Sequence, residues 1–365
     1  MAPVADTRWR QRYPIIGAVL RFLLYCAAGA LVLLPLPALG RVESASRLSN
    51  YVEPIVRLSA SELARLERGE PVTRLLESDA SKEVAVFGAV WINAPISEYV
   101  KAVRDIETLE QGRAFPITQR ISDPPRASDF ARLRLRQGDL ADLRRCRVGD
   151  CKFKLGEAAV ERLQREIDWH SPDAGARAEA VLRDLALNLV RGYREGGNAR
   201  LAVYRDDPTP TFVADEFRAL LDRMPWVEWM WPPLHRFLLD YPRASLPGGE
   251  DFLYWQETDF GLKPTIRISH LVIWPNGQET VVASKMLYAS HYFWTALEIR
   301  LLRPDPARGE GFWFVNVSRS RADGLDGFRG YFIRGRVRSS VEKGLLASLV
   351  ATRARLEANA QGSQR

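Results

Sequence analysis

Residues 284–302 read SKMLYASHYFWTALEIRLL, and the way this run is folded decides the second half of the chain. Strand-forming residues dominate it. As one strand, its nineteen residues at about 3.3 Å each would span roughly 63 Å, several times the usual length. The run must therefore turn or bulge, and its least hydrophobic point is Ala289-Ser290-His291. No Gly, Pro or Asn stands there, so a bulge or an abrupt strand exchange fits as well as a hairpin. Working outward, DFLYWQETDF (251–260), TIRISHLVIW (265–274), TVVASKMLYA (280–289), YFWTALEIRLL (292–302) and GFWFVNVSRSR (311–321) read as five successive strands. GLKP and PNGQ between them have turn chemistry. This is the pattern of an antiparallel meander.

The flanking segments complete the expectation. KEVAVFGAVWINAP alternates as a strand from about Val84 to Ile92, and ISEYVKAVRDIETL follows with a helical period. AFPITQRIS and FARLRLR read as strands around the loop DPPRASD. Residues 157–169 and 176–195 read as helices, the second ending at Gly196-Gly197. TPTFVADEFRALLDRM is a further helix with Thr211 as its cap, and PWVEWMWPPLHRF sets three tryptophans between prolines. A final helix is expected from about Phe328 to Glu357, with apolar residues at 328, 332, 337, 341, 345 and 349 on one stripe. The predicted architecture is α+β. A curved antiparallel sheet grips a long C-terminal helix, and a helical insertion spans about 157–245. In domain terms, a single domain covers 41–358 and residues 359–365 form a disordered tail.

The N-terminus reads as an export signal. Arg8, Arg10 and Arg12 precede FLLYCAAGALVLLPL, an uncharged run from Phe22 to Leu36, and Ala38-Leu39-Gly40 supplies small residues for cleavage. Residues 1–40 are thus expected to leave, placing the protein in the periplasm or outside the cell. An uncleaved N-terminal anchor is the alternative. Cysteine usage agrees with export, because Cys146 and Cys151 in CRVGDC can close a short disulfide loop. No second Cys or His pair accompanies them to make a zinc site. The net charge is +7; residues 1–40 carry four Arg and one Asp, so the remainder is +4. Arg319, Arg321, Arg329, Arg334, Arg336 and Arg338 with two Asp account for all of that excess. So local an excess argues against a nucleic-acid partner and permits contact with an anionic membrane surface through Arg319, Arg321, Arg334 and Arg336.

VWINAPISEYVKAVRDIETL, the five-strand meander and the closing GRVRSSVEKGLLASLVATRARL together resemble the START-like helix-grip superfamily, the polyketide cyclase and lipid-transfer type. The resemblance covers about half of the mature chain and not residues 157–245. It implies an apolar or lipidic small molecule bound in a cavity between the sheet and the C-terminal helix.

Within the opening run, simple alternation puts Lys285, Leu287 and His291 on one sheet face and Met286, Tyr288 and Ser290 on the other. If they line the cavity, Lys285 or His291 can pair with a ligand's carboxylate or phosphate. Tyr288 and Ser290 can then donate hydrogen bonds, and His270 on the preceding strand can join them. The plainer reading is that Lys285 snorkels to solvent and His291 satisfies a turn carbonyl. No GxGxxG, Walker A, HExxH, GxSxG or paired CxxC motif is present, and neither a cofactor nor a metal is implied. The expectation is a binding or shuttling protein rather than an enzyme. Its rivals are a cyclase- or hydrolase-like activity with His270 or His291 as general base, and a non-catalytic envelope interaction protein with a filled core.

Overall fold

Strand-forming residues crowd both faces of the predicted meander, which requires a sheet covered on both sides. The structure, a computed structural model, shows this. It describes residues 47–259, 263–324 and 327–363; the leader expected over residues 1–40 lies outside them. In chain order the first elements are α1 (Ala60–Glu67), β1 (Val72–Leu75), β2 (Glu83–Ile92), α2 (Ile96–Arg104), α3 (Ile106–Leu109) and β3 (Ile117–Arg120). α4 (Gln137–Arg145) comes next, and the insertion follows as α5 (Glu157–Glu166), α6 (Ala174–Gly196), β4 (Val203–Tyr204), β5 (Thr211–Phe212), α7 (Val213–Asp222), α8 (Trp226–Met230) and α9 (Pro232–Asp240). The meander is β6 (Glu250–Thr258), β7 (Thr265–Asn276), β8 (Glu279–Ala289), β9 (Phe293–Pro304) and β10 (Phe312–Ala322), closed by α10 (Gly327–Ser363).

Eight strands form one curved antiparallel sheet in the order β1-β2-β10-β9-β8-β7-β6-β3. Period-2 alternation sends each strand's residues to two different cores. Val86, Val90, Phe252, Leu271, Ile273 and Phe314 pack with Leu345, Leu349 and Leu356 of α10 and with Tyr99 and Val103 of α2. This is the α10 face. Gly88 makes the close approach possible, since a Cβ there would lie 2.8 Å from Leu345 and 2.9 Å from Leu349. On the opposite, insertion face, Phe87, Leu253, Ile268, Val272, Ala283 and Leu297 pack with residues of α6 to α9, including Tyr193, Phe217 and Leu234.

The opening run turns where it is least apolar. β8 ends at Ala289 and β9 begins at Phe293. Tyr292 between them takes φ +62°, a left-handed conformation that costs a non-glycine residue about 1–2 kcal/mol. Its hydroxyl accepts the Lys263 N–H at 3.1 Å and its carbonyl accepts the Asp323 N–H at 2.9 Å, contacts that hold the turn in place. β8 also carries a bulge: Ile268 pairs Tyr288 while Ser269 pairs Met286, which leaves Leu287 extra. Both Leu287 and Tyr288 therefore pack toward the insertion, whereas alternation alone had separated them.

Smaller expectations change too. FARLRLR is not a strand; residues 127–130 form a tight helical turn that buries Phe130, and Leu133 beyond it also enters the core. Thr211 does not cap α7, because Thr211–Phe212 pairs with Val203–Tyr204 and Phe212 is the residue before the helix. α10 continues to Ser363, through most of the segment expected to be a disordered tail, where Leu-Glu-Ala-Asn-Ala-Gln favours helix.

Candidate functional site

The polar residues of the opening run do not converge. Lys285 and His270 are cross-strand partners on the insertion face. Lys285 does not snorkel: it is 1% exposed. Its ammonium donates to Asn198 Oδ1 and, at 3.1 Å, to the Leu238 carbonyl, and it lies 3.9 Å from the centre of the Phe217 ring. Burial pushes its pKa well below the usual 10.5. His270 bonds Tyr193 through Nδ1 at 3.0 Å and Asp251 through Nε2 at 2.9 Å. Burial lowers its pKa in spite of Asp251. Asp251 also accepts Arg194 at 2.9 Å. Burial alone would raise the Asp251 carboxyl, but His270 and Arg194 hold it below its ordinary value.

The other three residues build the wall beside the disulfide. Tyr288 donates to the Lys154 carbonyl at 3.0 Å. Ser290 Oγ accepts the Ile266 N–H at 3.0 Å, and its carbonyl accepts the Lys154 N–H at 2.9 Å. His291 reaches the Lys152 carbonyl through Nδ1 at 2.8 Å and Asp139 through Nε2 at 3.0 Å. With both nitrogens of each imidazole engaged, neither His270 nor His291 presents a free lone pair for a substrate proton. Cys146 and Cys151 are joined as a disulfide with Cα atoms 4.4 Å apart.

The arginines expected at a membrane surface divide similarly. Arg319 and Arg321 share Glu83, at 2.7 and 2.6 Å, and Arg321 also holds Glu216 at 2.6 Å. Arg319 is 6% exposed, so this pair serves the interior. Arg334 and Arg336 lie on α10, where Arg336 is exposed and Arg334 partly so.

A different set of residues forms the most polar part of the sheet, on the α10 face. Arg267 and Ser269 of β7 alternate with the insertion-facing Ile268 and His270, and so stand on the same side as Leu271. Ser284 of β8 bonds Tyr254 of β6 at 3.0 Å. On β9, Glu298 accepts Arg300 at 2.7 Å, and Arg300 reaches Glu110 at 3.3 Å. On β10, Asn316 stands opposite Arg300 and donates to Glu298 at 2.5 Å. Burial alone would lower the Arg300 pKa, but Glu298, Tyr99 and Glu110 outweigh it and hold the guanidinium charged. Burial alone would raise Glu298, but Arg300 and Asn316 keep it below the ordinary glutamate value.

This cluster is incompletely satisfied. Ser269 is 0% exposed and its hydroxyl has no partner. Asn316 Oδ1 and Arg267 Nε are likewise buried without partners. An unpaired buried polar group costs about 1–3 kcal/mol. Among the described residues Arg300 has two carboxylates, whereas Arg267 has no hydrogen-bonded counter-ion. The arrangement leaves a guanidinium N–H and a hydroxyl unpaired about 7 Å apart along one strand. That is anion-binding chemistry.

The sequence held a signal for this site. Polar residues recur at every second position in TIRIS, ALEIR and FVNVS, on strands otherwise apolar on both faces. A metal is a poorer fit elsewhere: the carboxylates of Asp206, Asp207 and Asp323 lie close together, but the Lys154 ammonium already binds Asp206 and Asp323. The chain matches no protein-family model, and none of the curated proteins matches it.

Proposed function

We propose that the protein is exported and holds a small amphiphilic molecule, an apolar body with one anionic end, on the sheet face that carries α10. Arg267 and Ser269 receive the anionic end, and the Glu298–Arg300 ion pair with Asn316 bonded to it keeps its surroundings polar. The single observation behind this reading is the buried Arg267 Nε without a hydrogen-bond partner, on the same strand face as a fully buried hydroxyl that also lacks one. The basic, uncharged-then-small pattern of residues 8–40 and the disulfide support export. Among the described residues no helix is long and apolar enough to cross a membrane.

Calorimetric titration with decanoate and with decanol, which share an apolar body and differ in charge, tests the proposal. A hydrogen bond to a charged group contributes about 1.5–3 kcal/mol. Arg267→Met should therefore weaken decanoate binding about 10- to 150-fold and leave decanol unchanged. Equal decanoate affinity in the variant and the wild type would overturn the assignment, as would no decanoate binding at all. Native mass spectrometry of the purified chain would show what it carries from its source.

A further inference from the structure

A cavity of about 140 Å³ lies on the other side of the sheet, between the insertion and β7–β8. We infer that it is a second binding site, independent of Arg267, for a single apolar ring. Its walls are Leu185, Ala186 and Leu189 of α6, Ile266 and Ile268 of β7, and Phe153. Tyr204 and Tyr288 also line it, but their polar ends point elsewhere. The Tyr288 hydroxyl donates to the Lys154 carbonyl, and the Tyr204 hydroxyl accepts the Ala289 N–H at 3.3 Å.

A buried water needs two to four polar partners, and this lining offers almost none. The space is also well above the few small voids that close-packed interiors tolerate. An apolar cavity of about 150 Å³ is known to admit benzene, so the volume suits a six-membered ring. The lining includes no charged residue, so it has nothing to receive the anionic end of the amphiphile proposed for the α10 face.

The cavity is held open from both sides. On the strand side, the Leu287 bulge turns Tyr288 into its wall. On the other side, the segment carrying Phe153 and Leu155 follows the disulfide directly and is tied to the sheet by three bonds. Lys154 N–H donates to the Ser290 carbonyl, Tyr288 donates to Lys154, and His291 bonds the Lys152 carbonyl. Ser290 and His291 thereby act as builders of the cavity and do not contact its contents. Ala159, Leu185, Leu189 and Ala202 are lining residues that remain partly exposed, and they mark the way in.

Toluene titrated into the methyl-labelled full chain, followed by NMR, tests the inference. Saturable shifts are expected at the Leu185, Leu189, Ile266 and Ile268 methyls. Ala186→Met, which fills the cavity from α6, should weaken toluene at least tenfold, and Arg267→Met should leave it unchanged. Ala159→Leu, at the partly exposed edge, gives the same reading should Ala186→Met fail to fold. No saturable shift at these methyls would overturn the inference and leave a packing void. Toluene affinity unchanged in the folded filling variants would overturn it equally.

Discussion

Replacing Lys285 with Met separates the cost of burying a charge from the value of its hydrogen bonds. The thioether is about as long as the lysine stem and can rest on the Phe217 ring. The Leu238 carbonyl keeps a donor, because Asn198 Nδ2 also bonds it at 3.2 Å. Asn198 Oδ1 loses its donor, which costs about 1–3 kcal/mol. Against this stands the lowered pKa of Lys285. Between the folded-state pKa and the unfolded value near 10.5, unfolding takes up one proton. In that window wild-type stability therefore rises with pH by about 1.4 kcal/mol per unit. The burial penalty removed by Met therefore shrinks by about 1.4 kcal/mol for each pH unit gained toward 10.5. The stability of the variant relative to wild type should accordingly fall as pH rises through that window, with the Asn198 loss as a constant offset against it. Urea unfolding followed by tryptophan fluorescence from pH 7.5 to 10 gives both curves. The buried tyrosines Tyr193, Tyr204 and Tyr288, whose raised pKa values act in the opposite direction, are common to both proteins and cancel in the difference. A difference that stays constant across this range would refute the reasoning, since it would mean that Lys285 keeps its proton in the fold.

Glu83→Gln should destabilise the protein by about 3–5 kcal/mol, because it leaves the buried Arg319 and the half-shared Arg321 without their common counter-ion; the urea midpoint measures it, and a loss below 1 kcal/mol would contradict the geometry. His270 is held neutral by burial, so the unfolded chain binds the extra proton as pH falls through 6.5. Wild-type stability should accordingly decline below pH 6.5 until the folded-state pKa is passed, with a slope of at most about 1.4 kcal/mol per unit. His270→Gln should flatten that part of the curve. In the wild type Asp251, whose pKa is lowered, loses its contribution only as the pH falls below 3.8, outside this range.

The sheet was legible because burial on both faces leaves a coarse mark. β6 to β10 are long, β-branched and aromatic, and Asn276-Gly277 punctuates β7 and β8. Elements whose form depends on a distant partner were not legible. FARLRLR has strand composition, yet Phe130 is needed beneath the sheet, where it stacks with Trp255 at 6.4 Å. In PWVEWMWPP, spacing could not say that Trp226 and Trp231 would be buried while Trp229 stays 68% exposed.

The candidate site escaped for a related reason. Lys285, Tyr288, Ser290 and His291 drew attention because they are neighbours in sequence, but neighbours on a strand diverge. The Leu287 bulge and the left-handed Tyr292 then redirected them a second time. A site on a sheet is assembled across strands, from residues at matching register and equal parity. Arg300 opposite Asn316, and Ser284 opposite Glu298, meet that condition, yet the four positions span 33 residues of sequence. Recognising them requires the β8–β9 and β9–β10 registers, and only the first of these is joined through the turn at Tyr292. The chemistry proposed for the α10 face depends on that cross-strand alignment.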